Sequence, residues 1–251
     1  MTNIILSGAN GKMGKVITAM AAENDDLNIV CGFDVNTESN GFPVYQNPDE
    51  YAGGADVIID FSHPSAFENL TEYALKRKLP IIMCTTGLSS VQLKKLEEMS
   101  KEIPVFFSAN MSLGINLLIQ LAKKATEILN GFDIEIVERH HNQKIDAPSG
   151  TALAIADAIN ESMTAEAEYV YDRHSKRCKR SKNEIGIHAV RGGTIVGDHS
   201  VIFAGKDEVI ELNHHAHSKE VFASGALAAA RFMNGKPAGF YNMTDLVNSS
   251  M

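Results

Sequence analysis

The chain is predicted to be α/β: a doubly wound parallel sheet followed by a second, α+β domain with a mixed or antiparallel sheet. Three observations carry that expectation. Up to about residue 110, short apolar runs alternate with helical patterns, the order that βαβ units impose. A glycine triplet, Gly8-Ala-Asn-Gly-Lys-Met-Gly14, lies between the first apolar run and the first helical pattern. Beyond about residue 130 the texture changes, and strand-like segments recur with one helical pattern among them.

The elements follow in order. Strands are expected at Ile4–Ser7, Leu27–Phe33, Val57–Phe61, Ile81–Thr85 and Val105–Ser108, each apolar and rich in β-branched residues or phenylalanine. Helices are expected to start near Lys12, Ser65 and Ser89, and a long one to run from Leu113 to Leu129. Phe132–Arg139 alternates apolar and polar residues and reads as a strand; so do Gly186–Val190, Thr194–Ala204 and Val209–His215. A helix is expected from Thr151, with Ser149 or Thr151 as its N-cap. The last helix, Lys219 to Asn234, is rich in Ala and Gly, which allows close packing, and is expected to pack back onto the first domain.

The 251 residues suit one large or two small domains. No run approaches the ~20 apolar residues of a membrane span, and a strand begins at Asn3 where a signal peptide would lie. Cys31, Cys84 and Cys178 are odd in number and widely spaced. They fit neither a disulfide framework nor a metal knuckle, so a reducing cytoplasm is expected. The net charge of −8 argues against nucleic acid as a partner. One basic run, from Arg173 to Lys182, reads as a solvated loop face.

The glycine triplet has the context a dinucleotide needs. It follows a strand and opens a helix, so its backbone can turn sharply and approach a pyrophosphate held by the helix N-terminus. Asp34 ends the second strand, 20 residues after Gly14, where a ribose-binding acid belongs. The fold is therefore Rossmann-type, and Gly8, Ala9, Asn10, Gly11, Lys12, Met13 and Asp34 are cofactor-binding candidates. Asp34 would repel a 2′-phosphate, and Val35 follows where an arginine would hold one. NADH is thus expected to bind at least as well as NADPH. Cys84-Thr85-Thr86-Gly87 and Ser108-Ala109-Asn110-Met111 end later strands, where the nicotinamide half lies.

A second site is expected at Glu138-Arg-His-His-Asn-Gln-Lys-Ile-Asp-Ala-Pro-Ser-Gly-Thr151. His140, His141 and Lys144 form a local positive site that can also move protons, on a strand-to-helix connection. The free amides of Gly150 and Thr151 can hold a carboxylate. Asp146 is expected to organise the turn or orient Lys144. His199 reads as part of a structural turn. His215 and His217 would share a strand face near His214, with no carboxylate or thiol at ligand spacing to join them, so no metal is expected.

Glu138 to Ala152 resembles, at every fixed position, the E-x-H-H-x-x-K-x-D-A-P-S-G-T-A signature of the dihydrodipicolinate reductases. Arg191-Gly-Gly-Thr-Ile-Val-Gly-Asp-His199 resembles the family's second fingerprint, and the threonine-glycine turn and Ser108 to Asn116 match in order. The resemblance covers nearly the whole chain. It implies NADH- or NADPH-dependent reduction of the cyclic imine dicarboxylate derived from 4-hydroxy-tetrahydrodipicolinate, in lysine and diaminopimelate synthesis. It makes His140 the proton donor/acceptor and Lys144 the second catalytic residue. It places His141, Gly150, Thr151 and, where many members carry arginine, Lys219 against substrate. It further implies a dinucleotide domain of residues 1–111 and 220–251, a substrate and oligomerisation domain of residues 112–219, and a homotetramer. Two other readings are compatible with the glycine loop and Asp34. One is a dehydrogenase for another substrate, such as an amino-acid semialdehyde, which would not need the 138–151 pattern. The other is a dinucleotide-sensing regulator, which would carry a DNA- or protein-binding appendage.

Overall fold

In the computed structural model, which describes residues 1–249, the chain divides into two units. The first comprises Met1–Leu113 and the chain from Glu220 onward; the second is Gly114–Lys219. In the first unit, β1 (Thr2–Ser7), β2 (Leu27–Phe33), β3 (Val44–Tyr45), β4 (Val57–Asp60), β5 (Ile81–Met83), β6 (Pro104–Phe107) and β12 (Gly239–Tyr241) form one sheet. Every pairing is parallel, in the order β12-β6-β5-β4-β1-β2-β3.

Alternation along the strands builds two cores. Ile4, Leu6, Val57, Ile59 and Phe106 face α1 (Lys12–Ala22), α6 (Glu220–Met233) and α7 (Met243–Ser249). Ile5, Ile58, Ile81 and Val105 face α2 (Phe67–Arg77) and α3 (Ser90–Met99). All nine strand residues are fully buried, so the strands read as continuous apolar runs, as doubly covered parallel strands must. α6 does pack onto the first sheet. At Gly225 a β-carbon would stand 1.7 Å from the Met111 carbonyl oxygen, so only glycine lets the helix lie on that backbone.

The second unit is a mixed sheet. β7 (Asp133–His140) lies between antiparallel β10 (Gly197–Ala204) and parallel β9 (Glu184–Arg191). β11 (Val209–Ala216) and β8 (Glu168–Val170) complete the order β11-β10-β7-β9-β8. α4 (Leu113–Ile128) and α5 (Gly150–Ser162) cover it, with Leu118, Ala122, Ile155 and Ile159 against Ile134, Ile136, Val201 and Phe203.

Four short elements carry no pattern in the sequence: β3, β8, β12 and α7. Each strand among them has two or three residues on a sheet edge, too short to show a period. The strand expected from Thr194 starts at Gly197, because Gly193 (φ +49°) turns the chain first. α2 starts at Phe67, after a 3₁₀ turn at Pro64–Ala66 capped by His63. The basic run is more than a solvated face. Arg180 donates to Glu135 (3.1 Å), Asp133 (3.1 Å) and the carbonyls of Ile134 (2.8 Å) and Glu184 (2.6 Å), and Arg173 pairs with Glu184.

Candidate active site

The strand order reverses between β1 and β4, and a crevice opens at their carboxyl ends. A cavity of about 330 Å³ lies there, lined by Gly8, Gly11, Asp34, Val35, Ser62 and His63 among others. Gly8 has φ +78°, and a β-carbon on it would meet the Phe61 carbonyl oxygen at 2.5 Å. At Gly14 a β-carbon would meet the Gly8 carbonyl oxygen at 2.2 Å. Both glycines are therefore demanded by close backbone approach at the start of α1. Ala9 is buried and Met13 half-buried, so these two can offer a ligand only backbone or little more, whereas Lys12 is exposed at the first helical position.

Asp34 is already oriented. Its Oδ2 accepts from the Asn10 amide (2.9 Å) and its Oδ1 from the Asn36 amide (3.0 Å). The Asn10 side chain donates to the carbonyls of Asn36 (2.7 Å) and Glu38 (2.9 Å), tying the glycine loop to the loop after β2. Phe61, Ser62 and His63 also line the cavity; sequence reasoning passed over them, although His63-Pro64 directly after an apolar strand marks a turn there.

The later turns differ in detail from expectation. Thr85 is buried and its hydroxyl donates to Asp60 at 2.6 Å, so that proton is committed. Cys84 is buried and Thr86 is exposed. Ser108, Ala109, Asn110 and Met111 form the turn after β6. Ser108 Oγ donates to the Asn110 carbonyl (2.8 Å) and Asn110 Oδ1 accepts from the Ser112 amide (2.9 Å). Asp60 itself is 1 % exposed; burial pushes its carboxyl up, and the hydroxyls of Ser62, Thr85 and Ser7 pull the other way.

In the second unit, β7 alternates so that Ile134, Ile136, Glu138 and His140 point inward. His140 is thus the last residue of the strand, not part of the connecting loop. Glu138 is fully buried and accepts four hydrogen bonds. Arg191 supplies two (Nη1 to Oε2 2.8 Å, Nη2 to Oε1 2.7 Å), the Ser149 amide one (3.0 Å), and His140 Nδ1 lies 2.6 Å from Oε2. Burial pushes the Glu138 carboxyl up, but the bonds from Arg191, His140 and Ser149 outweigh it and hold it below the usual range. Arg191 also donates to the Asp146 carbonyl at 2.6 Å.

His199 belongs to strand β10, not to a turn. Its ring meets the His140 ring edge-on at 5.3 Å, and its Nε2 lies 3.2 Å from Ser149 Oγ. Burial, and then the neighbouring His140, push the His199 ring down to about 4. Ser149 is the N-cap of α5, accepting from the Ala152 amide at 3.1 Å. Lys144 Nζ lies 2.7 Å from Asp146 Oδ1. That lysine is the main reason the Asp146 carboxyl sits below its usual range; the Gly150 amide contributes less. The Gly150 amide therefore already faces a carboxylate. His141 is half-buried, Thr151 is in the first turn of α5, and Lys219 is exposed in the turn before α6.

The histidines of β11 do meet a carboxylate: His215 Nδ1 lies 3.3 Å from Asp198 Oδ1 on the paired strand. β11 stops at Ala216, so His217 lies beyond it. Among the described residues no three metal-ligating side chains converge, and no helix is long and apolar enough to cross a membrane.

Residues 2–111 match the family model described as dihydrodipicolinate reductase, N-terminus, and residues 114–247 the one described as dihydrodipicolinate reductase, C-terminus. A 4-hydroxy-tetrahydrodipicolinate reductase of Caldanaerobacter subterraneus is 58% identical over 247 residues, covering 98% of each chain. One of Clostridium tetani is 53% identical over 251 residues, covering 99% of this chain and 98% of the relative. Among solved structures, the dipicolinate-bound dihydrodipicolinate reductase of Paenisporosarcina sp. TG-14 superposes with a TM-score of 0.81 over 96% of this chain and 97% of that one, at 23% identity. The chain belongs to the dihydrodipicolinate reductase family.

Proposed function

We propose that the chain reduces the cyclic imine dicarboxylate formed from 4-hydroxy-tetrahydrodipicolinate to tetrahydrodipicolinate, with NADH accepted at least as well as NADPH. The buried Glu138–His140 pair at the head of the Lys144 loop is the observation that carries this reading. The residues of the first unit fit a dinucleotide: glycines that no β-carbon could replace, a helix N-terminus behind them, and a fixed ribose-facing acid. Gly8, Ala9, Asn10, Gly11, Lys12, Met13 and Asp34 would hold its adenosine and pyrophosphate. Cys84, Thr85, Thr86 and Ser108 to Met111 would hold its nicotinamide half, Thr85 and Cys84 chiefly through backbone. When bound, the cofactor supplies the hydride that C4 of the dehydrated ring accepts.

The chain's own residues do the rest. Lys144 and Lys219 bring positive charge to the two carboxylates and His141 a ring N–H, while Gly150 brings its amide once Asp146 yields it and Thr151 its amide and hydroxyl. His140 gives a proton to the electron-rich enamine carbon. A dianion beside the ring favours the imidazolium, so substrate binding charges the acid when it is needed. The cavity beside Asp34 has neither lysine nor arginine among its lining residues, so a 2′-phosphate would have to turn to Lys12 of the adjoining glycine loop. Comparable or better kcat/KM with NADH than with NADPH is expected at physiological salt; a clear NADPH preference would refute this. Exposed Val209 and Ile210 on the edge strand β11 suit burial between copies in a homotetramer, and free cysteines suit the cytoplasm.

The test is a coupled assay in which an upstream synthase makes the labile hydroxylated imine from pyruvate and aspartate semialdehyde while NADH loss is followed. H140Q should lower kcat by about 10²- to 10⁴-fold, the usual share of a general acid. An undiminished turnover number in H140Q removes His140 from that role.

A further inference from the structure

The Glu138 carboxylate meets donors that cannot accept. A guanidinium and a peptide amide supply three of its four hydrogen bonds, and neither can take a proton from it. It is fully buried, so a neutral Glu138 beside Arg191 would leave the guanidinium uncompensated. The carboxylate is therefore ionised, and the fourth bond, to His140 Nδ1 at 2.6 Å, needs its hydrogen on the ring. A neutral imidazole carries one N–H. Its lone pair must then lie on Nε2.

The surroundings point the same way. A β-carbon added at Gly197 would come within 3.1 Å of His140 Nε2, so the glycine keeps that side of the ring clear. The charged and titratable groups around the ring are Glu138 on its own strand, Arg191 on β9 and His199 on β10; His199 presses edge-on and remains neutral. Arg191 also holds the Asp146 carbonyl, which fastens Glu138 to the loop bearing Lys144.

We propose that Glu138 is the positioning residue of the reaction: clamped by Arg191 and the Ser149 amide, it holds the His140 ring with hydrogen on Nδ1 and leaves Nε2 as the single atom that exchanges protons. The imidazolium gives its Nε2 hydrogen to the substrate carbon, the C–H bond forms as the N–H bond breaks, and the ring returns to the Nδ1–H form. Glu138 stabilises the charged ring and keeps its own charge throughout, the logic by which a buried acid serves a catalytic histidine. This rests on His140 being the proton donor, and its failure is distinguishable from failure of that reading.

The experiment combines ¹⁵N NMR of the histidine rings with steady-state kinetics, the His140 signals being assigned by their loss in H140Q. In the wild type the neutral His140 ring should show a protonated Nδ1 and an unprotonated Nε2. In E138Q the side-chain amide can donate to Nδ1, so the proton should move to Nε2. There kcat should fall roughly 10- to 100-fold, less than in H140Q, with KM changed by no more than about twofold. E138D keeps a partner for Arg191 but withdraws the carboxylate from the ring, and it carries the test if E138Q does not fold. Its tautomer should be mixed and its kcat intermediate. A wild-type ring protonated at Nε2, or wild-type kcat in both Glu138 variants alongside a slow H140Q, overturns the positioning role and leaves His140 as the acid. Wild-type kcat in H140Q overturns the acid itself.

Discussion

His199 shows how burial at one residue becomes a property of the folded protein. Its ring titrates near 6.5 in an unfolded chain and is pushed down to about 4 here. Between those values the unfolded chain takes up a proton that the native ring refuses. Stability therefore falls as pH drops from about 6.5 to 4, by at most about 1.4 kcal/mol per pH unit, and levels off below. Glu138 adds its own loss only further into acid, because its folded value lies below the usual carboxylate range. Urea midpoints of wild type and H199Q at pH 7, 6 and 5 should diverge, with the variant the flatter by up to one proton. Parallel slopes would mean that the native ring of His199 takes up its proton as readily as the unfolded one. The proposed catalytic imidazole and ammonium were legible in the sequence because His140 and Lys144 crowd into five residues. The anchoring role of Arg191 and His199 was not, although both bound the second fingerprint: they lie more than 50 residues from Glu138 in the chain and reach the cluster only by strand pairing. One signal was available. Strict alternation in β7 sends Glu138 and His140 to the same face as Ile134 and Ile136, and a buried acid needs partners.

At the scale of elements, what could be read locally was read. The glycine loop, Asp34 and the main helices follow from patterns within one turn or one strand. What depends on distant pairing was missed: β3 against β2, β12 against β6 and β8 against β9 have no period of their own. The small residues of α6 had a clear meaning, and the contact between Gly225 and the Met111 carbonyl makes it measurable. G225A places a methyl against backbone that cannot rotate away. It should lower stability by about 1–3 kcal/mol and weaken cofactor binding through the Ser108–Met111 turn. Chemical denaturation and NADH titration check both. An unchanged urea midpoint would mean that the helix slides freely on the sheet.

For the whole molecule, the three cysteines sort by depth. Burial pushes the Cys31 thiol up to about 12, and burial with the Asp60 charge raises Cys84 well above its ordinary value; Cys178 is exposed. Only thiolates react readily. A thiol-reactive dye at mild alkaline pH should titrate one equivalent in the native protein and three in guanidinium. Two or three native equivalents would show that the first sheet opens far more readily than its doubly covered core implies. That core also has a bearing on biosynthesis. Its first six strands leave the ribosome early, yet the face against Ile4, Leu6, Val57 and Ile59 needs Ala223, Ala226, Leu227 and Ala230 of α6, more than 100 residues later. The inserted Gly114–Lys219 unit has its own core and is complete sooner. The growing polypeptide thus finishes its middle before its beginning, and the nucleotide-binding half waits, one side covered by α1 alone, for the tail that seals it.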